Sequence, residues 1–207
     1  MNTRKNQLIK HLEKIVTDDR VINAIEITAR EDFVPDKYRD DSYLDKPLRI
    51  GYGQTISQPS IVAIMLQELE TRKTDPVLEL GTGSGYQTAL LSNLVSKVVS
   101  VERIPELANS AKSRLDMKGY NNIEIVLSED KIGCGKFAQY DGIIVSASVP
   151  KIPQDLVNQL ASTGRMIIPV GSMEVQELVK VSSNCGLYSF STICNCRFVP
   201  LIGEGGW

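Results

Sequence analysis

Residues 77–86 read Val-Leu-Glu-Leu-Gly-Thr-Gly-Ser-Gly-Tyr, an apolar run that passes into three glycines at alternate positions. The run predicts a buried strand. The glycines predict a sharp turn, because glycine permits tight turns and lets a ligand approach where a Cβ atom would block it. A helix is expected from about Tyr86, and a second strand follows at 98–101 and ends at Glu102. A carboxylate there can accept hydrogen bonds from both ribose hydroxyls of a nucleoside, so the stretch predicts a nucleoside-cofactor site in a doubly wound α/β fold.

The glycine spacing and the position of Glu79 argue against a dinucleotide cofactor. Dinucleotide sites usually read Gly-x-Gly-x-x-Gly, whereas the third glycine here, Gly85, comes one residue earlier. A dinucleotide pyrophosphate is held at the helix N-terminus, where the Glu79 carboxylate would repel it. An acidic side chain suits a cationic or zwitterionic ligand, such as the amino-acid end of S-adenosylmethionine. We therefore predict S-adenosyl-L-methionine as the cofactor.

Composition narrows the class of protein. The 207 residues are 42% hydrophobic and 23% charged, which is typical of a globular domain. The net charge of −2 predicts no broad basic surface for nucleic acid. No apolar run has the length of a membrane span, and no signal-like apolar core follows the first residues. We expect a cytoplasmic monomer with neither nucleic-acid nor membrane partners.

Cysteine and histidine usage makes metal chemistry an unfavourable interpretation. The four cysteines match no zinc-binding spacing, and they fit small apolar residues in a reducing compartment. The one histidine, His11, falls inside the first predicted helix. We predict no metal site and no histidine general base.

The order of predicted elements indicates a mostly parallel sheet covered by helices on both faces. Two helices are expected at about 2–16 and 18–29, with Asp18 or Thr17 capping the second, and another at 60–69. The segment 31–60 has no sustained period, and long irregular segments are often functional. The alternating part is predicted to contain strands near 77–80, 98–102, 123–127, 142–146 and 165–170, and helices near 86–95, 105–117 and 153–161.

After Gly171 the pattern predicts two consecutive antiparallel strands, at 175–182 and 187–199, joined around Asn184-Cys185-Gly186. A parallel sheet finished by an antiparallel pair is typical of class I methyltransferases. We expect one domain over residues 1–207, made of N-terminal helices and a loop (1–60), a cofactor-binding α/β core (61–171) and C-terminal strands (172–207).

Several segments, spread over nearly the whole chain, resemble the protein-L-isoaspartate (D-aspartate) O-methyltransferase family. Gly53-Gln54-Thr55-Ile56-Ser57-Gln58-Pro59 is the most specific of them, whereas the glycine-rich turn is common to many methyltransferases. The matching segments are Arg30 with Phe33-Val34-Pro35, residues 50–59, residues 78–86 with Val101-Glu102-Arg103, residues 141–145, residues 164–171 and residues 197–201.

The resemblance implies methyl transfer to the free carboxylate of L-isoaspartyl, and possible D-aspartyl, residues in damaged proteins and peptides, which would be the partners. The methyl ester would then cyclise to a succinimide, and hydrolysis would return some normal aspartate. Two alternatives stay open at this point. One is a carboxyl methyltransferase dedicated to a single peptide, and the other is a non-catalytic, cofactor-binding adaptor.

The resemblance also implies site residues. Ser57 would be the catalytic residue that orients the substrate carboxylate, although it could also cap the following helix, which has Pro59 in its first turn. Substrate-binding residues would be Ile56, Ser57 and Ser146. Cofactor-binding residues would be Thr55, Glu79, Gly81, Thr82, Gly83, Gly85, Glu102, and Glu129 or Asp130.

The chemistry of a carboxylate acceptor agrees with this interpretation. A carboxylate with an ordinary pKa of about 4 is already ionised at neutral pH, so no general base is required. The segment 145–150, Val-Ser-Ala-Ser-Val-Pro, has neither the Asn or Asp nor the aromatic residue that base methyltransferases often carry there.

One segment departs from the family pattern. The family usually has Gly-Asp-Gly after the third strand, with the aspartate receiving the adenine amino group, whereas this chain has Ser128-Glu129-Asp130-Lys131. A gapless count back from Asp141 assigns that role to Glu129, and a slip of one residue assigns it to Asp130. The same region has Ser146-Ala147-Ser148 where the family often has Thr-Ala-Ala.

Overall fold

The computed structural model describes residues 3–129 and 131–207. Two helices open the chain, α1 (Thr3–Leu12) and α2 (Asp19–Ile27). The side chain of Asp18 caps α2 by accepting a hydrogen bond from the backbone N–H of Arg20 at 2.9 Å, as predicted. Helix α1 ends four residues earlier than expected. Val16 nevertheless remains part of the hydrophobic core.

The segment predicted to be irregular contains local structure that its sequence pattern does not reveal. Two short 3₁₀ helices, Arg30–Phe33 and Asp36–Asp41, precede a hairpin of β1 (Leu48–Gly51) and β2 (Gln54–Ile56). Tyr52 lies at the tip of this hairpin with a positive φ of 51°. Strands of four and three residues are too short for their alternation to be recognised, which is why the hairpin was not predicted.

The main sheet has seven strands in the order β5-β4-β3-β6-β7-β8-β9. Neighbours from β5 to β7 are parallel, and β7–β8 and β8–β9 are antiparallel. The predicted fold class, a class I methyltransferase Rossmann-like fold, is confirmed. The strands are β3 (Pro76–Leu80), β4 (Lys97–Glu102), β5 (Ile123–Leu127), β6 (Tyr140–Val145), β7 (Leu160–Gly171), β8 (Gln176–Asn184) and β9 (Leu187–Cys196).

Helices α3 (Pro59–Leu69), α4 (Tyr86–Leu94) and α5 (Pro105–Met117) agree with the predicted spans within a residue or two. Two other predicted elements are also too long. The helix expected at 153–161 is only α6 (Gln154–Val157), because β7 already begins at Leu160, which pairs with Tyr140. The last strand ends at Cys196 rather than at residue 199.

The strand order reverses between β4-β3 and β3-β6, and ligands of open α/β sheets bind outside the carboxyl ends of the strands at such a switch point. The hairpin and the C-terminal segment both reach this edge, where they line a cavity with the strand ends. Within the described residues, none of the helices has the length and apolar character needed to cross a membrane.

Candidate cofactor and acceptor site

The glycine turn after β3 is in close contact with two other segments. Gly81 and Gly83 have φ values of 95° and 54°, in the left-handed region that favours glycine. A Cβ atom on Gly81 would lie 3.3 Å from Cβ of Ser146, and one on Gly83 would lie 3.3 Å from Cδ1 of Ile50. The turn therefore lies between the loop after β6 and the hairpin, and any larger residue would crowd both.

Glu102, at the end of β4, is held by backbone groups. Its Oε2 accepts a hydrogen bond from the N–H of Gly83 at 2.8 Å. Its Oε1 accepts from the N–H groups of Arg103 at 2.9 Å and Ile104 at 3.0 Å. A carboxylate has about four acceptor positions, so one, on Oε2, stays available to a ligand hydroxyl. The sequence predicted that Glu102 would accept hydrogen bonds from both ribose hydroxyls, whereas its backbone partners leave one acceptor position for the ligand.

A cavity of about 1140 Å³, which includes its open mouth, joins the predicted cofactor residues to the predicted acceptor residues. The predicted residues that line it are Thr55, Ile56, Ser57, Gly81, Thr82, Gly83, Glu102, Glu129 and Ser146.

Two of the described residues predicted to bind the cofactor, Glu79 and Gly85, are not part of that lining. Asp130 lies outside the described residues. Gly85 precedes α4 and faces α5, since a Cβ atom there would lie 3.2 Å from Cδ1 of Leu115. Glu79 is completely buried below the turn, so the expectation that it faces the amino-acid end of the cofactor does not agree with its position.

Glu79 instead organises a buried polar network. It accepts hydrogen bonds from the hydroxyls of Thr88 and Ser100, each at 2.6 Å, and from Nε2 of Gln87 at 3.1 Å. Burial raises the pKa of Glu79 to about 7, against the opposing effect of these hydrogen bonds. The carboxyl is therefore a support for the site rather than part of its surface.

The same network reaches the cavity at two points. The hydroxyl of Thr82, in the glycine turn, lies 2.6 Å from Oγ of Ser100. Nε2 of Gln87 also donates to Oγ of Ser146 at 2.9 Å. Glu79 thus connects the glycine turn, through Ser100, to the predicted substrate residue Ser146, through Gln87. The sequence pattern did not single out either connecting side chain.

Ser57 lies between β2 and α3, and its side chain is not used as a helix cap. The N-cap residue of α3 is Gln58, which makes no capping hydrogen bond through its side chain. Asp45 supplies that interaction, because its Oδ1 accepts from the N–H of Ser60 at 2.9 Å. The prediction that Ser57 could cap α3 is therefore wrong. Ser57 lines the cavity instead.

The C-terminal segment is a wall of the cavity that was predicted only as a strand. The N–H of Ser148 donates to the carbonyl of Val199, and the N–H of Leu201 donates to the carbonyl of Ser148, both at 2.8 Å. Residues 199–204 line the same cavity as the glycine turn. The resemblance of residues 197–201 to the family's last strand indicated that this segment belongs to the fold. It did not indicate that the segment lines the cavity.

Together, the switch-point cavity, the glycine turn and Glu102 define a class I methyltransferase site. A solved protein-L-isoaspartate O-methyltransferase matches 98% of this chain and 67% of its own, with a TM-score of 0.86 and 27% identity. A second, from Plasmodium falciparum, is described as a protein-L-isoaspartate O-methyltransferase in complex with S-adenosyl-L-homocysteine. It matches 96% of this chain and 98% of its own, with a TM-score of 0.83 and 25% identity.

Sequence relatives specify the family. A protein-L-isoaspartate O-methyltransferase of Methanoculleus marisnigri is 47% identical over 192 residues, 93% of this chain and 87% of the relative. One from Dictyoglomus thermophilum is 43% identical over 205 residues, 99% of this chain and 93% of the relative. The model of the protein-L-isoaspartate(D-aspartate) O-methyltransferase family matches residues 3–206. The chain belongs to this family.

Proposed function

We propose that the protein methylates the free α-carboxylate of L-isoaspartyl residues in damaged proteins and peptides, with S-adenosyl-L-methionine as methyl donor. One observation carries the proposal: the cofactor-side residues Gly83 and Glu102 and the acceptor-side residue Ser57 line the same cavity. A binding adaptor would need the first group only. The arrangement of both groups around one space supports group transfer between two ligands.

The residues on the cofactor side fit this donor. Oε2 of Glu102 keeps an acceptor position for a ribose hydroxyl. The carboxylate of Glu129 lines the cavity and could accept from the adenine amino group. When bound, S-adenosyl-L-methionine would supply the methyl group that a carboxylate oxygen accepts.

On the acceptor side, the protein has to position a group that is already ionised. The unperturbed pKa of a carboxyl is about 4, so the acceptor carries its charge at neutral pH without a general base. The hydroxyl of Ser57 can donate one hydrogen bond to a carboxylate oxygen and orient the other towards the donor. The resulting ester would cyclise to a succinimide, and hydrolysis would restore part of the normal aspartate.

The setting proposed for this reaction is the cytoplasm, with the protein acting as a monomer. Support comes from Cys134, Cys185, Cys194 and Cys196, which are free thiols and therefore suit a reducing compartment. Sedimentation velocity at micromolar concentration measures the oligomeric state.

Transfer of radiolabelled methyl groups to a short isoaspartyl peptide, with its normal aspartyl twin as the matched control, tests the function. We expect label in the isoaspartyl peptide and little in the twin, whose free carboxylate lies on a side chain. Equal labelling of the two would indicate an unselective carboxyl methyltransferase. Labelling of one isoaspartyl sequence but of no unrelated one would indicate a dedicated acceptor, and cofactor binding without any transfer would indicate an adaptor.

A further inference from the structure

Arg30 is completely buried and connects segments that are distant in sequence. It begins the first 3₁₀ helix, and its side chain is 0% exposed. Nε donates to the carbonyl of Ser42 at 2.8 Å, and Nη2 donates to the carbonyl of Ser57 at 2.9 Å. One guanidinium therefore holds the backbone of the residue proposed to orient the acceptor carboxylate.

The guanidinium also contacts the residue that directly follows the glycine turn. It lies over the ring of Tyr86, 4.9 Å from the ring centroid. Tyr86 is the first residue of α4, directly after Gly85, and it lines the cavity. Phe33 packs edge-on against the same ring, with 5.6 Å between the two ring centroids. Burial raises the pKa of Tyr86 to about 12, so its phenol is neutral. Residues 57–58, which connect β2 to α3, form the Ser57 loop. Arg30 thus contacts both the Ser57 loop and the start of α4.

This arrangement is costly as a source of stability alone. Arg30 takes part in none of the ion pairs found among the described residues. Its Nη1 is buried without a hydrogen-bond partner. A buried charge that is not paired carries a large desolvation penalty. Burial lowers the pKa of Arg30, but a guanidinium stays protonated in proteins. A side chain kept at such a cost is better explained by the geometry that it imposes.

Lysine could not impose the same geometry. The guanidinium is a rigid planar fork that donates in two fixed directions while its face lies on an aromatic ring. An ammonium is a compact point charge on a flexible stem, and it does not combine these contacts. The two carbonyl acceptors and the Tyr86 ring therefore select for arginine.

We propose that Arg30 is a positioning residue that fixes the Ser57 loop relative to the glycine turn, a role that rests on the proposed function. Arg30 does not line the cavity and would touch neither ligand. It would act on the methylation rate through the placement of Ser57. The bound cofactor would not depend on it to the same degree, because Glu102 is held independently by backbone N–H groups.

A double-mutant cycle tests whether Arg30 acts through Ser57. The variants are Arg30→Lys, Ser57→Ala and the two combined, with kcat for an isoaspartyl peptide and the affinity for S-adenosyl-L-homocysteine as readouts. We expect Arg30→Lys to lower kcat about 10-fold, as for one lost hydrogen bond from a charged donor, and to change the affinity less than about 3-fold. In the Ser57→Ala background, Arg30→Lys should have little further effect on kcat, because residues that act as a unit are not additive.

Leu12→Ala is the control for lost stability, since Leu12 is fully buried in α1 and does not line the cavity. It should lower Tm without lowering kcat at a temperature where the variant is folded. Fully additive effects of Arg30→Lys and Ser57→Ala would overturn the proposal, as would an Arg30→Lys variant that loses Tm but keeps kcat.

Hydrogen exchange separates failure of this proposal from failure of the proposed function. The backbone amides of residues 48–58 should exchange faster in Arg30→Lys than in the unmutated protein. Their exchange rates in Leu12→Ala should equal those in the unmutated protein. If the unmutated protein does not methylate isoaspartyl peptides, the proposed function fails while the exchange experiment still decides whether Arg30 fixes the loop. Unchanged exchange in Arg30→Lys would overturn the positioning role.

Discussion

The backbone N–H of Gly83 donates a hydrogen bond of 2.8 Å to Oε2 of Glu102, which joins the glycine turn after β3 to the carboxylate at the end of β4. The same carboxylate is fixed on its other oxygen by the N–H groups of Arg103 and Ile104. Because β3 and β4 are paired neighbours in the sheet, this contact sets the distance between the two parts of the cofactor site. A ligand hydroxyl would meet an acceptor that is already oriented.

Glu102→Gln should therefore weaken cofactor binding more than its small change in shape suggests. An amide nitrogen cannot accept from a backbone N–H, so one side of the side chain loses its partners. Losing a hydrogen bond to a charged group costs about 1.5–3 kcal/mol, which predicts a 10- to 100-fold weaker affinity for S-adenosyl-L-homocysteine by isothermal titration calorimetry. The control is Glu106→Gln, in the first turn of α5 and outside the cavity lining. Equal affinities in the two variants would show that Glu102 is not the ribose ligand.

Cofactor binding should stabilise the folded chain. At a free ligand concentration of about 100 times Kd, one-site binding to the folded state alone adds about 2.7 kcal/mol to the free energy of unfolding. Thermal melts with increasing S-adenosyl-L-homocysteine should show Tm rising with ligand concentration in the unmutated protein and much less in Glu102→Gln. A Tm independent of ligand would contradict the assignment of the cavity.

Ser57→Ala should slow methylation and leave cofactor affinity nearly unchanged. The hydroxyl is proposed to orient an ionised carboxylate, so its removal mainly costs positioning. One lost hydrogen bond to a charged group, about 1.5–3 kcal/mol, predicts a 10- to 100-fold lower kcat/KM for an isoaspartyl peptide. Ser60→Ala, in the first turn of α3, is the matched control, because Asp45 accepts from its backbone N–H, which the substitution keeps. A rate loss in Ser60→Ala as large as in Ser57→Ala would point to the helix start rather than the hydroxyl.

The strand–turn–helix–strand unit around Gly81 could be predicted from sequence because all of its signals are local. Strand hydrophobicity, glycine spacing and the terminal Glu102 lie within 26 residues, and parallel strands place their carboxyl ends at one edge. The direction of Glu79 could not be predicted in this way. Strand β3 is buried along most of its length, so polarity did not indicate which face carries the ligand. The deciding partners, Thr88 and Ser100, lie on α4 and β4.

Two further parts of the site depend on tertiary packing. The β1–β2 hairpin lies against the glycine turn, with the side chain of Ile50 close to Gly83, and its strands are too short to be recognised alone. The C-terminal wall depends on main-chain hydrogen bonds between Ser148 and residues 199–201. Backbone pairing of that kind carries no residue-specific signal.

The adenine amino group has two candidate acceptors, Glu129 and Asp130. Glu129 lines the cavity, whereas Asp130 lies outside the described residues. We predict that Glu129→Ala weakens binding of S-adenosyl-L-homocysteine and that Asp130→Ala does so much less. A ligand without the adenine base, S-ribosylhomocysteine, should bind both variants with the affinity that it has for the unmutated protein. The reverse pattern of losses would mean that the register of this loop is shifted by one residue.

The buried carboxyl of Glu79 should make stability depend on pH in a direction opposite to that of a salt-bridged acid. Burial raises its pKa from 4.5 to about 7, so between these values the folded state binds more protons than the unfolded state. The free energy of unfolding therefore falls as pH rises through this window, by roughly 3 kcal/mol for such a shift. Below pH 4.5 Glu79 is protonated in both states and its favourable contribution is complete.

Glu79→Gln removes this titration while keeping the shape of the side chain, and the hydroxyls of Thr88 and Ser100 can rotate to accept from the new amide. Between pH 4.5 and 7, urea unfolding followed by circular dichroism should show the unmutated protein losing roughly 3 kcal/mol more than the variant. The variant would thus gain stability relative to the unmutated protein as pH rises. Glu106→Gln, which removes an exposed carboxylate, is the control for the loss of one charge. If Glu79→Gln gives a curve parallel to that of the unmutated protein, the pKa of Glu79 in the folded state is not raised above 4.5, and its hydrogen bonds at least balance the cost of its burial.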